Sequence, residues 1–132
     1  MIRHSFKVKT AAFFGLLLLT TCAFAAQENL TKRVRFARGR TTATLKNSVV
    51  RGTLNHYSVG ARAGQRMTVS ITSVERNAVF RIYTPDGVRV EDTGEGQHAL
   101  NWSGKLTETG DYVIEVGGTR GNATYTLKVS VR

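Results

Sequence analysis

Apolar and polar residues alternate one by one along most of the chain after residue 31. Tyr57, Val59 and Ala61 alternate with Ser58 and Gly60. After Arg62-Ala63-Gly64-Gln65 the phase resumes, with Met67, Val69 and Ile71 set against Thr68, Ser70 and Thr72. Successive side chains of a strand point to opposite faces, so a period of two marks strands with one buried face. Two such runs across a short glycine-containing break predict a β-hairpin.

The same pattern recurs in both directions. Val34 and Phe36 face inward in Lys32–Phe36, with Arg33 and Arg35 outward. Ala43 and Leu45 share one side of the β-branched run Thr41–Lys46. Phe80 and Ile82 share one side of Ala78–Tyr83, Val88–Val90 reads as a short edge strand, and His98–Trp102 as another strand. Tyr112, Ile114 and Val116 alternate, as do Tyr125, Leu127, Val129 and Val131. Turn chemistry separates these runs. Thr84-Pro85-Asp86-Gly87 presets φ at Pro85 and accepts a positive φ at Gly87. Gly117–Asn122 reads as a hairpin turn between the last two strands, and acidic Glu91–Gln97 as a solvated loop. About eight short strands with no helical period predict an all-β fold, a small antiparallel β-sandwich over residues 26–132.

The first 25 residues follow different rules. Arg3, His4, Lys7 and Lys9 precede the apolar run Ala11–Thr20, and Ala23-Phe24-Ala25 supplies a small-residue cleavage pattern. This is the three-part layout of a secretory signal peptide over residues 1–25. The run is too short for a membrane anchor, which needs about 20 apolar residues. Cleavage near Ala25 leaves a periplasmic or secreted domain without a transmembrane segment. It also removes Cys22, the chain's only cysteine, so the domain must hold by core burial without a disulfide. Lipidation of Cys22 is the minor alternative, since Leu19-Thr20-Thr21 resembles a lipobox with Thr21 where a smaller residue is usual.

Charge narrows the partners. The chain carries +10, and loss of the leader removes three Lys or Arg and no acid, leaving +7. Such a field attracts polyanions. Nucleic acid is not among them for an exported chain that lacks a basic-aromatic recognition motif. Acidic envelope polymers remain, through outward cations such as Arg33, Arg35, Arg81 and Lys128.

Catalytic chemistry is missing. After the leader there are two histidines, His56 and His98, and no metal-ligand spacing, nucleophile elbow or phosphate loop. His56 reads as an exposed strand residue and Trp102 as core or rim packing. No metal or other cofactor is expected, and the chain reads as a non-enzyme.

Several segments, taken in order, resemble the bacterial pre-peptidase C-terminal β-sandwich domain. They are Arg51–Val59, Ala63-Gly64-Gln65 with Met67–Ile71, Ala78–Gly87, Thr109–Val116 and Tyr125–Val129. Behind a leader, with Val34–Gly39 near its start and Thr119-Arg120 before the last strand, the chain is similar to the periplasmic inhibitors of goose-type (g-type) lysozyme. That resemblance implies a β-sandwich that inserts loop residues into a lysozyme cleft, where the family uses a Tyr and two nearby Arg. Arg120 matches one of the arginines, Thr53 stands where the Tyr would be, and Gly121-Asn122-Ala123 shortens the loop that would carry the other Arg. The partner-binding residues it implies are Arg120, Thr119, Thr53 and Asn55. The implied partner is a g-type lysozyme; the alternative is a basic envelope- or glycan-binding module without inhibitory activity.

Overall fold

The computed structural model describes residues 29–94 and 99–132. The expected leader with its expected cleavage pattern, Cys22 and His98 lie outside the described residues. Eight strands form among those described: β1 Thr31–Arg33, β2 Thr42–Val49, β3 Leu54–Ala61, β4 Arg66–Ser73, β5 Ala78–Tyr83, β6 Asn101–Lys105, β7 Gly110–Gly118 and β8 Ala123–Val131. They make two four-stranded sheets, ordered β1-β3-β7-β5 (sheet A) and β2-β8-β4-β6 (sheet B). The inward phases meet between the sheets. Tyr57, Val59, Phe80, Ile82, Tyr112 and Ile114 of sheet A lie against Met67, Val69, Leu127 and Val129 of sheet B, all at most 1% exposed. Each large side chain buried this way contributes roughly 1.5–3 kcal/mol.

Odd-numbered strands lie in sheet A and even-numbered strands in sheet B. Every connection therefore crosses from one layer to the other, and no two consecutive strands pair. This corrects the expected hairpin between β3 and β4. Both edges of β3 are taken by β1 and β7, and both edges of β4 by β8 and β6. The turn Arg62–Gln65 forms as a turn, with Gln65 N–H donating to the Arg62 carbonyl at 3.1 Å. Two more of its main-chain groups meet Leu106, with Gly64 N–H donating to the Leu106 carbonyl at 2.8 Å and Leu106 N–H to the Gln65 carbonyl at 2.7 Å. Arg62 N–H and Ala63 N–H donate to the side-chain oxygens of Gln65 at 2.8 Å and Thr109 at 2.9 Å. The Gly117–Asn122 segment is likewise a crossover and not a hairpin turn, since β7 and β8 lie in different sheets.

Smaller departures have similar causes. The pairing is antiparallel except at β1, which runs parallel to β3. The regular strand there is only three residues long, yet Val34 beyond it is buried, as its phase requires. Val88–Val90 forms no strand, only the bridge between Tyr83 and Arg89. The Pro85 turn forms as read, with Gly87 N–H donating to the Thr84 carbonyl at 2.8 Å and Gly87 at φ 84°.

Candidate functional site

Three crossovers meet at one end of the sandwich: β2–β3, β4–β5 and β7–β8. In the first, Thr53 N–H closes a turn on the Val50 carbonyl at 3.0 Å, and Gly52 takes φ 77°, a region where only glycine is unstrained. In the second, Ser73 accepts at its hydroxyl from Asn77 N–H at 3.0 Å, and Arg76 N–H donates to the Ser73 carbonyl at 3.1 Å. Arg76 sits at φ 50°, an uncommon left-handed conformation for a residue other than glycine. In the third, Gly118 passes so close to the Gly121 carbonyl that an added Cβ would stand 2.5 Å from its oxygen.

Two asparagines join the loops. Asn77, 3% exposed, donates from its side chain to the Asn122 carbonyl at 2.9 Å, while its own carbonyl accepts from Thr119 N–H at 2.9 Å. The Asn122 side-chain oxygen accepts from Arg51 N–H at 2.8 Å. Side-chain amides thus replace the strand ladder that crossovers cannot form, as buried main-chain groups require. The alternation pattern singles out neither residue. The signal was there: Asn77-Ala78 and Asn122-Ala123 both stand at a strand start, and each alanine is buried.

Beneath the loops lies a second polar group. Asn55, 4% exposed, donates to the Ser48 carbonyl at 2.9 Å and to the Tyr125 hydroxyl at 2.8 Å. Tyr125 also shares a short hydrogen bond with Tyr57, and the two rings meet edge to face. Tyr57 belongs to sheet A and Tyr125 to sheet B, so the pair links the layers. Burial, and then the bond to Tyr57, push the Tyr125 phenol well above its ordinary range, so Tyr125 stays neutral at physiological pH.

The four residues named from the sequence thus separate by depth. Arg120 and Thr119 are exposed at the tip. The Arg120 guanidinium donates from Nη2 to the Glu75 carbonyl at 2.8 Å, which aims it along the β4–β5 loop. Thr53 is half-buried and returns its hydroxyl to the Val50 carbonyl at 2.7 Å. Asn55 lies below the surface with both amide bonds internal, so it braces the loops and presents nothing to a partner. Around Arg120, the structure adds residues that the sequence reading passed over. Arg51 and Arg76 are exposed on the adjoining loops, and Val74 is 99% exposed. A guanidinium offers five donors in a rigid fork, suited to bidentate carboxylate pairing. Arg120, Arg51 and Arg76 thus stand exposed on three adjoining loops, with the exposed Val74 on the second. Among the described residues no group of three or more His, Cys, Asp or Glu could hold a metal ion.

Comparison with solved structures decides the family. The Aeromonas hydrophila PliG, a periplasmic lysozyme inhibitor of g-type lysozyme, superposes with a TM-score of 0.70 at 31% identity, over 80% of this chain and 98% of that one. The chain belongs to the PliG family. Salmonella Typhimurium PliG matches at a TM-score of 0.63 and 20% identity, covering 80% of this chain and all of its own. The pre-peptidase C-terminal domain of a Bacillus anthracis collagenase matches at 0.53 and 15% identity, which shows the shared sandwich alone. No family model matches the chain, and no curated protein matches it.

Proposed function

We propose that the protein is a non-enzymatic periplasmic inhibitor of a g-type lysozyme, and that the loop end carrying Arg120 enters the enzyme's cleft. In this reading residues 1–25 are a cleaved leader and residues 26–132 the inhibitory domain. The likeness to Aeromonas PliG over 98% of that chain carries the proposal. Arg120 fits the role because it is exposed, aimed by the Glu75 carbonyl, and able to form a two-bond fork with a cleft carboxylate. Arg51 and Arg76 supply the further guanidinium that the shortened β7–β8 loop lacks.

The test is inhibition of a g-type lysozyme by the purified protein. Arg120→Ala is expected to weaken inhibition at least about tenfold, or roughly 1.4 kcal/mol, with Tm unchanged. Arg51→Ala and Arg76→Ala each weaken it by less. Absence of inhibition at micromolar concentration removes the reading, and full activity in Arg120→Ala removes this mechanism.

A further inference from the structure

The outward face of sheet B has a composition unlike any other part of the molecule. Strand register fixes which side chains share it. Thr44, Lys128, Ser70 and Asn101 form one row across β2, β8, β4 and β6. Thr42, Ser130, Thr68 and Ser103 form the next. Every outward position on these four strands is Ser, Thr, Asn or a cation, with no carboxylate and no apolar side chain. Hydroxyls tie parts of it together, Ser48 to Thr124 at 2.9 Å and Thr68 to Ser103 at 3.0 Å.

The cations number one per strand: Lys46 on β2, Lys128 on β8, Arg66 on β4 and Lys105 on β6. Lys46 stands opposite Thr126, one outward step from Lys128 along β8. Lys128 stands opposite Ser70, two outward steps from Arg66 along β4. Arg66 faces Lys105 directly. The four therefore run as a diagonal across the whole sheet. With about 4.8 Å between strands and about 6.8 Å per outward step, it spans roughly 25 Å. None of the four is ion-paired among the described residues. The outward face of sheet A differs: Arg33 pairs with Asp111 at 3.0 Å, and Arg81 and His56 share Glu115 at 3.4 and 3.2 Å. Half of the outward cations chosen from the sequence, Arg33 and Arg81, are thus already matched, and Lys128 belongs to the unmatched line on sheet B.

We infer that the sheet B face binds a linear, carboxylate-bearing polysaccharide laid along this diagonal. A flat field of hydroxyls and one amide suits the hydroxyls of a sugar chain, and the spaced cations suit acid groups repeated along an extended polymer. A lipid surface fits poorly, since no apolar side chain projects to enter it. Asp92 stands only at the β6 rim, beside Asn101 and Ser103. The face is lateral and the Arg120 loops are terminal, so one molecule can hold a glycan strand and still present its tip.

The experiment compares two charge-matched variants of the purified protein for binding to immobilised polygalacturonate at about 20 mM salt, where charges are weakly screened. The face variant carries Lys46→Gln, Arg66→Gln, Lys105→Gln and Lys128→Gln. The control carries Lys32→Gln, Arg35→Gln, Arg38→Gln and Arg62→Gln, all exposed and all off this face. The parent is expected to bind polygalacturonate and not neutral dextran, with most binding lost by about 500 mM salt. The face variant should lose at least about tenfold and the control less than about threefold, with Tm and lysozyme inhibition preserved in both. Equal losses in the two variants would show net charge alone and overturn the assignment. So would failure of the parent to bind, tighter binding to phosphatidylglycerol vesicles than to the glycan, or loss of lysozyme inhibition in a folded face variant.

Discussion

The two ends of the sandwich are closed by different chemistry. At the end opposite Arg120, the β3–β4 turn and the β6–β7 loop exchange main-chain bonds through Gly64, Gln65 and Leu106. Leu106 is 3% exposed and joins the core. Tyr112 completes that corner by donating its hydroxyl to the Glu108 carbonyl at 2.8 Å and accepting from Glu108 N–H at 3.2 Å. At the Arg120 end, side-chain amides do most of the joining, through Asn77, Asn122 and Asn55, beside one main-chain bond from Thr119 N–H to the Asn77 carbonyl. Backbone exchange and an apolar plug make a closure in which few outer side chains take part, Thr109 being one through its hydroxyl on Ala63 N–H at 2.9 Å. A closure built from amides beneath the tips fixes the direction in which exposed arginines project. If the Arg120 end enters a lysozyme cleft as proposed, that end joins stability to presentation, and the plugged end need supply stability alone.

The sharpest way to break this contrast is to remove the plug. Leu106→Ala is expected to cost about 2–5 kcal/mol in urea denaturation, because it deletes buried methyl groups and leaves a cavity. Inhibition of lysozyme by the folded fraction should not change. If inhibition falls in step with stability while the protein is still folded, the ends are coupled and the division fails. Asn77→Ala should cost less, about 1–3 kcal/mol, through the unpaired Asn122 carbonyl. It should also weaken inhibition, because the β4–β5 and β7–β8 loops lose their tie. Tyr125→Phe follows at about 1–2 kcal/mol, since Asn55 and Tyr57 each lose a partner. It also removes an alkaline signature. A phenol whose folded-state pKa is raised stabilises the fold fully below its ordinary value of about 10, and that contribution is lost as pH rises through the folded value. The parent's extra stability over Tyr125→Phe should therefore shrink above about pH 10.

What the sequence made legible was the face of each strand and not its neighbour. Period-two alternation placed Tyr57, Met67, Ile114 and Leu127 in the core, and all four are buried. The same alternation is satisfied whether β3 turns back onto β4 in one sheet or crosses to the other, because both put the inward phase in the core. Only the accounting of main-chain bonds separates the two, and that depends on β7 and β8, which lie far along the chain. The site divided in the same way. A two-residue motif drew attention to Arg120, which stands exposed on the β7–β8 loop. Arg76 and Val74 were not legible, because they sit in a loop whose direction comes from Ser73, Asn77 and the Glu75 carbonyl. Asn55 was misplaced in depth: in a strand that reads Leu54-Asn55-His56-Tyr57, its phase is that of Tyr57, and the inward phase of β3 holds a polar residue there. His56, on the opposite phase, was read as exposed and instead meets Glu115 across the β3–β7 pair.

The smallest effect belongs to the surface of sheet A, near the plugged end. Asp111 opposes Gly60 and reaches Arg33, which fills the space a side chain at Gly60 would need. The hydrogen bond from Arg33 is the main reason that the Asp111 carboxyl lies below its ordinary range, with the charge of the guanidinium adding to it. Both groups are about half exposed, so water and salt screen the pair strongly. The sign is still fixed. A carboxyl with a lowered folded-state pKa contributes stability above its unfolded value of about 3.9 and loses it as pH falls through the lowered one. Asp111→Asn should therefore lower Tm slightly at neutral pH and not at all in strong acid. Calorimetry of both proteins from neutral pH down to about pH 2 would read this difference. A gap that persists unchanged in acid would mean that Asp111 acts by packing over Gly60 and not through its charge.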